Sequence, residues 1–330
     1  EFRRVLFRSH TIEPWMPPGA LKAKADYAHI ADQSGWTVLP LARYNDARYD
    51  DATRTQFINS WLQQVNTNDI VLHQFPSYMS EKFEVQFAKT LKARQVKRAI
   101  LIHDIEPLRL MKHPIWEFDL LNLYDIVIVH SQAMKAQLQS LGVTSQFIIQ
   151  PLFDYLGLSY SLVSFSHEIN FAGTFQKSPW LQQAQNVHIN LFGAKPKKWR
   201  DTTFPANVTY KGNLDPEQLI MAFRDGFGLI WDNDFEDKTY KTYTKYNAPH
   251  KASLYIRAGL PLIAWRESAI GQIIAEQEIG FVIDKLNQLP AQLSETTAAQ
   301  FNLWQQNMQP LAQQLASGYF TKATLAQLTQ

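Results

Sequence analysis

The polar residues at one predicted helix start are the strongest candidates for chemistry in this sequence. Asn247, His250 and Lys251 surround Pro249, which suits a first helical turn because its missing N–H has no helical partner there. Gly259 predicts the end of that helix. Free backbone N–H groups and a first-turn lysine attract anions, and phosphate is the usual one. The segment alone fits an anion site and an ordinary solvated helix start equally well.

Glycines follow three predicted strands in the same half of the chain. Gly173, Gly193 and Gly212 each come directly after an apolar stretch, where a missing side chain lets backbone approach a ligand closely. A single glycine of this kind is more often a turn requirement, but three together favour a ligand-binding edge. The sequence contains no GxGxxG and no Walker lysine motif, which disfavours a dinucleotide enzyme and a P-loop ATPase.

The first half of the chain offers a candidate base. His103 and Asp104 follow an apolar strand, and such a pair can take a proton from a substrate hydroxyl. A histidine that only caps its strand explains the pair equally well. Glu106 is a further candidate at this strand end, whereas we expect His130 to be structural. The run Asp232–Asp234 fits a polar loop rim better than a metal site.

Helices and short apolar strands alternate along the chain, and they must position these groups. The first half predicts helices over 20–34, 53–65, 81–94, 115–123 and 132–141, and strands over 37–41, 69–75, 98–103, 125–130 and 146–150. The second half predicts strands over 168–172, 187–192, 208–210, 228–231, 261–265 and 281–283, helices over 216–224, 249–258 and 269–276, and a helical tail from about 296, broken near Gly318. Such alternation implies right-handed crossovers and parallel sheets. We therefore expect an α/β fold with two doubly wound, Rossmann-like domains facing a cleft, and ligands at the strands' carboxyl ends.

Two segments interrupt this pattern. Residues 151–167 contain proline, glycine and serine and predict a linker between the domains. Residues 1–9 resemble a translated sequencing adapter, so we predict that they are non-native and leave them out of the fold. Residues 10–14 are then expected to be the remnant of the first strand.

Composition excludes several classes of protein. The chain has 330 residues, 45% of them hydrophobic, and a formal net charge of +2, which argues against nucleic-acid binding. It has no cysteine, which excludes disulfides and thiolate chemistry and fits a cytoplasmic location. Its apolar runs are strand-sized, so no transmembrane segment is predicted. Peripheral membrane contact and a homo-oligomer are both compatible with the sequence.

The chain resembles bacterial two-domain glycosyltransferases, namely the glucosyltransferase-3-like and galactofuranosyltransferase-like enzymes, which have the GT-B fold. The resemblance covers most of residues 20–325 and rests on the order and spacing of short motifs rather than on any one of them. These motifs are 102–104 with Pro107, 170–173, 191–193, 207–212, 227–231, Asn247 with Lys251, 258–261 and 318–321.

The resemblance implies an activity and a division of labour between the domains. A hexose, either glucose or galactose/galactofuranose, would move from a nucleotide-diphosphate sugar, typically a UDP-sugar, to a glycan or glycoprotein acceptor. Residues 10–154 would form the acceptor side and residues 155–312 the nucleotide-sugar-binding domain. The C-terminal helix, 313–330, would pack back on the first domain. Surface-glycan assembly and protein glycosylation in a bacterium are the expected settings.

The resemblance also assigns roles to residues. Lys251 would neutralise the diphosphate with help from Asn247 and from backbone amides near Ser268 and Ala269, and no metal would be obligatory. Asp104 or His103 would act on the acceptor hydroxyl. The expected donor site comprises Gly173, Thr174, Lys177, Lys211, Gly212, Trp231, Asn247, His250, Lys251, Ser268 and Ala269.

Two other functions compete with this one. A non-catalytic GT-B protein could bind glycans or serve as the partner subunit of an active transferase. A nucleotide-sugar epimerase is disfavoured because the dinucleotide fingerprint is absent.

Overall fold

A computed structural model describes residues 4–9, 18–41, 44–157, 162–173, 175–182, 184–195 and 197–330 of the protein. These residues form two compact units. The first contains residues 4–9, 24–41, 44–151 and 320–330, and the second contains residues 18–23 together with the described residues between 152 and 319.

The first unit is built on a parallel sheet of six strands among the described residues. The strands are β1 (Arg4–Ser9), β2 (Thr37–Leu41), β3 (Ile70–Phe75), β4 (Lys97–Ile102), β5 (Ile126–Val129) and β6 (Gln146–Ile149). Their order in the sheet is β2-β1-β3-β4-β5-β6. The helices are α1 (Pro18–Gln33), whose first residues belong to the second unit, α2 (Asp51–Trp61), α3 (Glu81–Ala93), α4 (Trp116–Leu121) and α5 (Gln132–Ser140).

Local sequence explains these elements. β3 and β5 are buried along their whole length, as expected for central strands of a parallel sheet. The side chains of Asp50, Ser80 and Ser131 each accept a hydrogen bond from a backbone N–H in the first turn of α2, α3 and α5. Such caps satisfy donors that have no partner within the helix, and each contributes about 1 kcal/mol.

Strand β1 corrects one expectation. The sequence predicts that residues 1–9 lie outside the fold, yet residues 4–9 pair in parallel with both β2 and β3, and Val5 is buried. The reason is the apolar run Val5–Phe7, which suits a strand between two parallel neighbours. The non-native origin of residues 1–9 stays a prediction, and residues 10–14 lie outside the described residues.

The second unit contains another parallel six-stranded sheet among its described residues. Its elements are β7 (Ser164–Ala172), β8 (Ile189–Phe192), β9 (Val208–Gly212), α6 (Pro216–Ala222), β10 (Asp225–Ile230), the hairpin β11 (Asp234–Phe235) and β12 (Lys238–Thr239), α7 (Tyr240–Tyr243), α8 (His250–Ala258), β13 (Leu262–Trp265), α9 (Ala269–Gln277), β14 (Gly280–Ile283), α10 (Leu289–Glu295) and α11 (Ala298–Ser317). The sheet order is β14-β13-β10-β7-β8-β9. Helix α12 (Tyr319–Leu328) then leads into the first unit.

The predicted α/β alternation in two parallel-sheet domains is confirmed, with three local differences. β7 begins at Ser164, inside the segment predicted as a linker. The hairpin β11–β12 and the short helices α7 and α10 were not predicted, because elements of two to seven residues show too little periodicity. Among the described residues, the structure contains no helix long and apolar enough to span a bilayer.

Candidate functional site

Lys251 lies at the second residue of α8, near the carboxyl ends of the second unit's strands. Its Nζ is 3.5 Å from Oδ1 of Asp232 and 5.1 Å from the centre of the Phe171 ring. The side chain is 15% exposed, so the ammonium is largely shielded yet reachable. No side chain caps the N-terminus of α8, which leaves first-turn N–H groups beside the lysine.

Packing of Tyr255 explains why Lys251 is held there. Tyr255 lies one helical turn after Lys251 on the same face of α8, and its hydroxyl accepts a hydrogen bond from the backbone N–H of Ala172 at 2.8 Å. The ring fits only because residue 228 in β10 is glycine, since a Cβ there would come within 2.4 Å of a Tyr255 ring carbon. These contacts fix α8 against the end of β7.

The three glycine turns are neighbours in the structure. The Gly173 N–H donates to the Phe192 carbonyl at 3.1 Å, and the Gly193 N–H donates to the Gly212 carbonyl at 2.9 Å. A Cβ on Gly173 would be 4.0 Å from the ammonium of Lys251. The turns after β7, β8 and β9 therefore form one edge, and the lysine borders it.

Gly193 is the least replaceable residue of this edge. Its φ is +138°, and a Cβ there would lie 2.3 Å from the Gly173 carbonyl oxygen. We expect Gly193→Ala to lower the free energy of unfolding by about 2–4 kcal/mol, because strain and a backbone clash act together. Urea unfolding measures this loss. Gly212→Ala is the matched control, since its φ is +102° but no atom lies within 4 Å of its Cβ position. If both variants lost the same free energy of unfolding, the clash with the Gly173 carbonyl oxygen would be contradicted.

Asn247 and His250 differ in their surroundings. The Asn247 side-chain oxygen is buried and has no hydrogen-bond partner in the structure, so it can accept a hydrogen bond from a ligand. The His250 ring instead stacks on Tyr155 with ring centres 4.9 Å apart. Burial lowers the pKa of His250 to about 3, so its ring is neutral at physiological pH.

The face of α8 that carries His250 holds residues 153–157. The Ser253 hydroxyl donates to the Phe153 carbonyl at 2.5 Å. The guanidinium of Arg257 donates to the carbonyls of Tyr155 and Gly157 at 3.0 and 3.1 Å. Helix α8 therefore presents Lys251 on one side and binds residues 153–157 on another. We call Ser253 and Arg257, which make these hydrogen bonds, the clamp on residues 153–157.

Ser268 and Ala269 have structural roles. The Ser268 N–H donates to the Trp265 carbonyl at 3.0 Å, and the Ala269 N–H donates to the Thr244 carbonyl at 2.9 Å. The Ser268 hydroxyl caps α9 by accepting from the Gly271 N–H. The two amides that the resemblance assigns to the diphosphate thus already have partners within the fold.

The remaining donor-site candidates surround the same group of strand ends. Lys177 places its ammonium 5.1 Å from the Tyr240 ring centre, and its carbonyl accepts from the Asn233 N–H. Lys211 is exposed on the edge strand β9, and Trp231 is buried directly after β10. Thr174 lies outside the described residues.

Sequence reasoning missed two residues at this edge. Asp232 was expected on a polar rim, but it is only 16% exposed and pairs with Lys251. Lys241 places its ammonium between Trp231 and Trp265, at 4.7 and 4.5 Å from their ring centres. Burial lowers the pKa of Lys241. Only the two tryptophans at neighbouring strand ends gave a signal in the sequence.

His103 and Asp104 belong to the first unit, where they follow β4. His103 Nε2 lies 2.8 Å from the side-chain oxygen of Gln74, whose amide group donates to the Lys24 carbonyl. This contact holds the His103 ring at the end of β3. Asp104 pairs with the guanidinium of Arg109 at 2.9 Å.

Buried titratable groups surround this pair. Arg109 also contacts Glu106 at 3.2 Å, and the Glu106 N–H donates to the Glu117 carboxyl group at 2.9 Å. Burial raises the pKa of Glu117 to about 8, so this carboxyl group is largely protonated at neutral pH. His130 bonds to the Ile102 carbonyl, and burial lowers its pKa to about 4, which agrees with a structural role.

In the part of the chain that the structure describes, no three histidine, aspartate or glutamate side chains cluster closely enough to bind a metal ion.

Family models match both units of the chain. The model described as the glucosyltransferase 3-like N-terminal domain matches residues 7–152, and the corresponding C-terminal domain model matches residues 169–328. The chain belongs to the glucosyltransferase 3-like family. The family resemblance found in the sequence is thereby confirmed, and the protein is a glycosyltransferase.

Individual relatives agree with this family. The chain is 27% identical to glucosyltransferase 3 of Streptococcus gordonii over 93% of this chain and 92% of the relative. It is 25% identical to the β-1,6-galactofuranosyltransferase WbbI of Escherichia coli K12 over 82% of each chain.

Solved structures show the fold of this family member. Anabaena HepE in complex with UDP-glucose superposes with a TM-score of 0.64 at 13% identity, over 98% of both chains. The apo structure of OtsA gives a TM-score of 0.59 at 11% identity over 99% of both chains. The expected GT-B fold is therefore confirmed.

Proposed function

We propose that the protein transfers a hexose, glucose or galactose/galactofuranose, from a UDP-sugar to a glycan or glycoprotein acceptor. The observation that carries this proposal is the shielded ammonium of Lys251 at the uncapped start of α8, beside the glycine turns. Two kinds of relative support it. The relatives from Streptococcus gordonii and Escherichia coli are a glucosyltransferase and a galactofuranosyltransferase. The HepE structures contain UDP and UDP-glucose.

The proposed chemistry places negative charge where α8 can stabilise it. Transfer breaks the bond between the sugar's anomeric carbon and the diphosphate oxygen, and the electron pair stays on the leaving UDP. The ammonium of Lys251 and the N-terminal N–H groups of α8 stabilise that developing charge. The Asn247 side-chain oxygen accepts a hydrogen bond from a hydroxyl group of the donor.

The acceptor hydroxyl bonds to the anomeric carbon and loses its proton. We propose that His103 or Asp104 accepts that proton. Gln74 holds the His103 ring and Arg109 holds the Asp104 carboxylate, so both candidate bases are fixed at the end of β4.

The setting of the reaction is also part of the proposal. We infer a bacterial cytoplasmic enzyme of surface-glycan assembly or protein glycosylation, on the basis of its bacterial relatives and its cysteine-free sequence. A homo-oligomer and peripheral membrane contact are compatible with this role.

Ligand-dependent unfolding tests the donor. UDP or the correct UDP-sugar, present at about 100 times its dissociation constant, should stabilise the protein by roughly 2.7 kcal/mol. Thermal or urea unfolding with UDP, UDP-glucose, UDP-galactose and UDP-galactofuranose measures this effect, and ADP is the control. Release of UDP from the stabilising sugar then tests transfer or hydrolysis. No stabilisation by any uridine nucleotide would refute the proposal, and stabilisation without UDP release would favour the non-catalytic glycan-binding or partner-subunit function.

A further inference from the structure

Asp232 stands directly beside the cation that the proposed function assigns to the diphosphate. Its Oδ1 lies 3.5 Å from Lys251 Nζ, and the two side chains are 16% and 15% exposed. Among the described residues, the structure shows no second carboxylate within 4 Å of that ammonium. By contrast, the Lys245–Glu267 pair of the same unit is 37% and 58% exposed, and it is therefore more strongly screened by water.

A carboxylate in this place should oppose diphosphate binding. It competes with the phosphate oxygens for the Lys251 ammonium, and it repels their negative charge in a partly shielded site, where charges interact more strongly than in bulk water. The separation of 3.5 Å exceeds the 2.7–2.9 Å usual for a charge-assisted hydrogen bond, so the pair can separate at modest cost.

The repulsion should act unequally on substrate and product. In a UDP-sugar the terminal phosphate is esterified, whereas in free UDP it carries an additional ionisable oxygen. A fixed negative charge near that phosphate therefore disfavours UDP more than UDP-sugar.

We propose that Asp232 is a positioning residue that holds Lys251 in place before the donor binds and weakens the UDP product complex. The inference rests on the proposed function and adds to it a determinant of product release. Asp232 reaches the ammonium because it lies two residues after the end of β10, next to Trp231, which is buried and donates a hydrogen bond to Asn233.

Asp232→Asn removes the charge and keeps the shape of the side chain. We expect this variant to bind UDP roughly three- to tenfold more tightly than wild type does. Its affinity for UDP-glucose should also exceed that of wild type, but by a smaller factor. Isothermal titration with UDP and with UDP-glucose, without acceptor, measures both effects. The inhibition constant for UDP in the transferase assay should fall by the same factor as its dissociation constant.

Two further variants separate this role from a structural one. Asp232→Glu keeps the charge and should retain wild-type UDP affinity, and Glu267→Gln neutralises the exposed pair and should leave UDP affinity unchanged. If the Asp232→Asn protein does not fold, Asp232→Ser is measured in its place, because it also removes the charge. Unchanged or weaker UDP binding by the charge-removing variant overturns the inference. If wild type binds no UDP, the proposed function fails as well, so the two failures are distinguishable.

Discussion

Replacing Lys251 with alanine is expected to lower the transferase kcat/KM by roughly 10²–10³-fold, with UDP binding weakened as well. The ammonium is the cation at the uncapped start of α8, and a preorganised group of this kind contributes about 3–4 kcal/mol where charge develops. Steady-state kinetics with the preferred UDP-sugar, together with a UDP titration, measures both effects.

Lys245→Ala is the matched control for this variant. It removes a lysine of the same unit that pairs with Glu267 at 2.7 Å and is 37% exposed, so activity should stay within about twofold of wild type. A Lys251→Ala protein that folds normally and keeps full activity would remove Lys251 from the proposed site.

Replacing Glu117 with glutamine is expected to stabilise the protein at pH 8 relative to wild type. Burial raises the pKa of Glu117 from its ordinary 4.5 to about 8. Between these two values the unfolded chain loses the proton while the folded chain keeps it, so the contribution of Glu117 to wild-type stability falls as pH rises. At about 1.4 kcal/mol for each tenfold change in proton affinity, the limiting loss is roughly 5 kcal/mol.

Urea unfolding at pH 5, 6, 7 and 8 measures this dependence. The Glu117→Gln midpoint should rise relative to the wild-type midpoint across the series, because glutamine cannot ionise and still accepts the Glu106 N–H. The buried histidines His130 and His250 contribute equally to both curves, so the difference between the two midpoints reports Glu117. Asp119→Asn, an exposed neighbour on α4, should leave the wild-type slope unchanged. Parallel curves for wild type and Glu117→Gln would show that this carboxyl group does not titrate differently in the folded state.

The sequence predicts helices and strands best where their ends carry their own signals. Pro249 and Gly259 bound helix α8 closely, since Pro249 is the residue before its first turn and Gly259 ends it with a φ of +72°. The hairpin β11–β12 carries no such signal, because each strand has only two residues and depends on its partner for definition. Strand β1 was rejected on the suspected origin of its sequence, although its apolar run pairs on both sides.

Local patterns predict the site less well because contacts within it join distant parts of the chain. The glycine turns and Lys251 were expected at one edge, and the structure brings them together. The pairing of Lys251 with Asp232 joins α8 to the end of β10, which no spacing rule reveals. His250 and Lys251 are adjacent in sequence, yet successive helical residues point about 100° apart, so only one of them faces the glycine edge.

The clamp on residues 153–157 limits how this protein can be recombined with its relatives. Ser253 and Arg257 bind the carbonyls of Phe153, Tyr155 and Gly157. In a chimera joined after residue 157, helix α8 would come from one parent and the segment that it binds from the other. A junction placed before Leu152 keeps both partners from a single parent. Residues 320–330 belong to the first unit, so a working exchange must replace an internal segment of the chain rather than its whole C-terminal half.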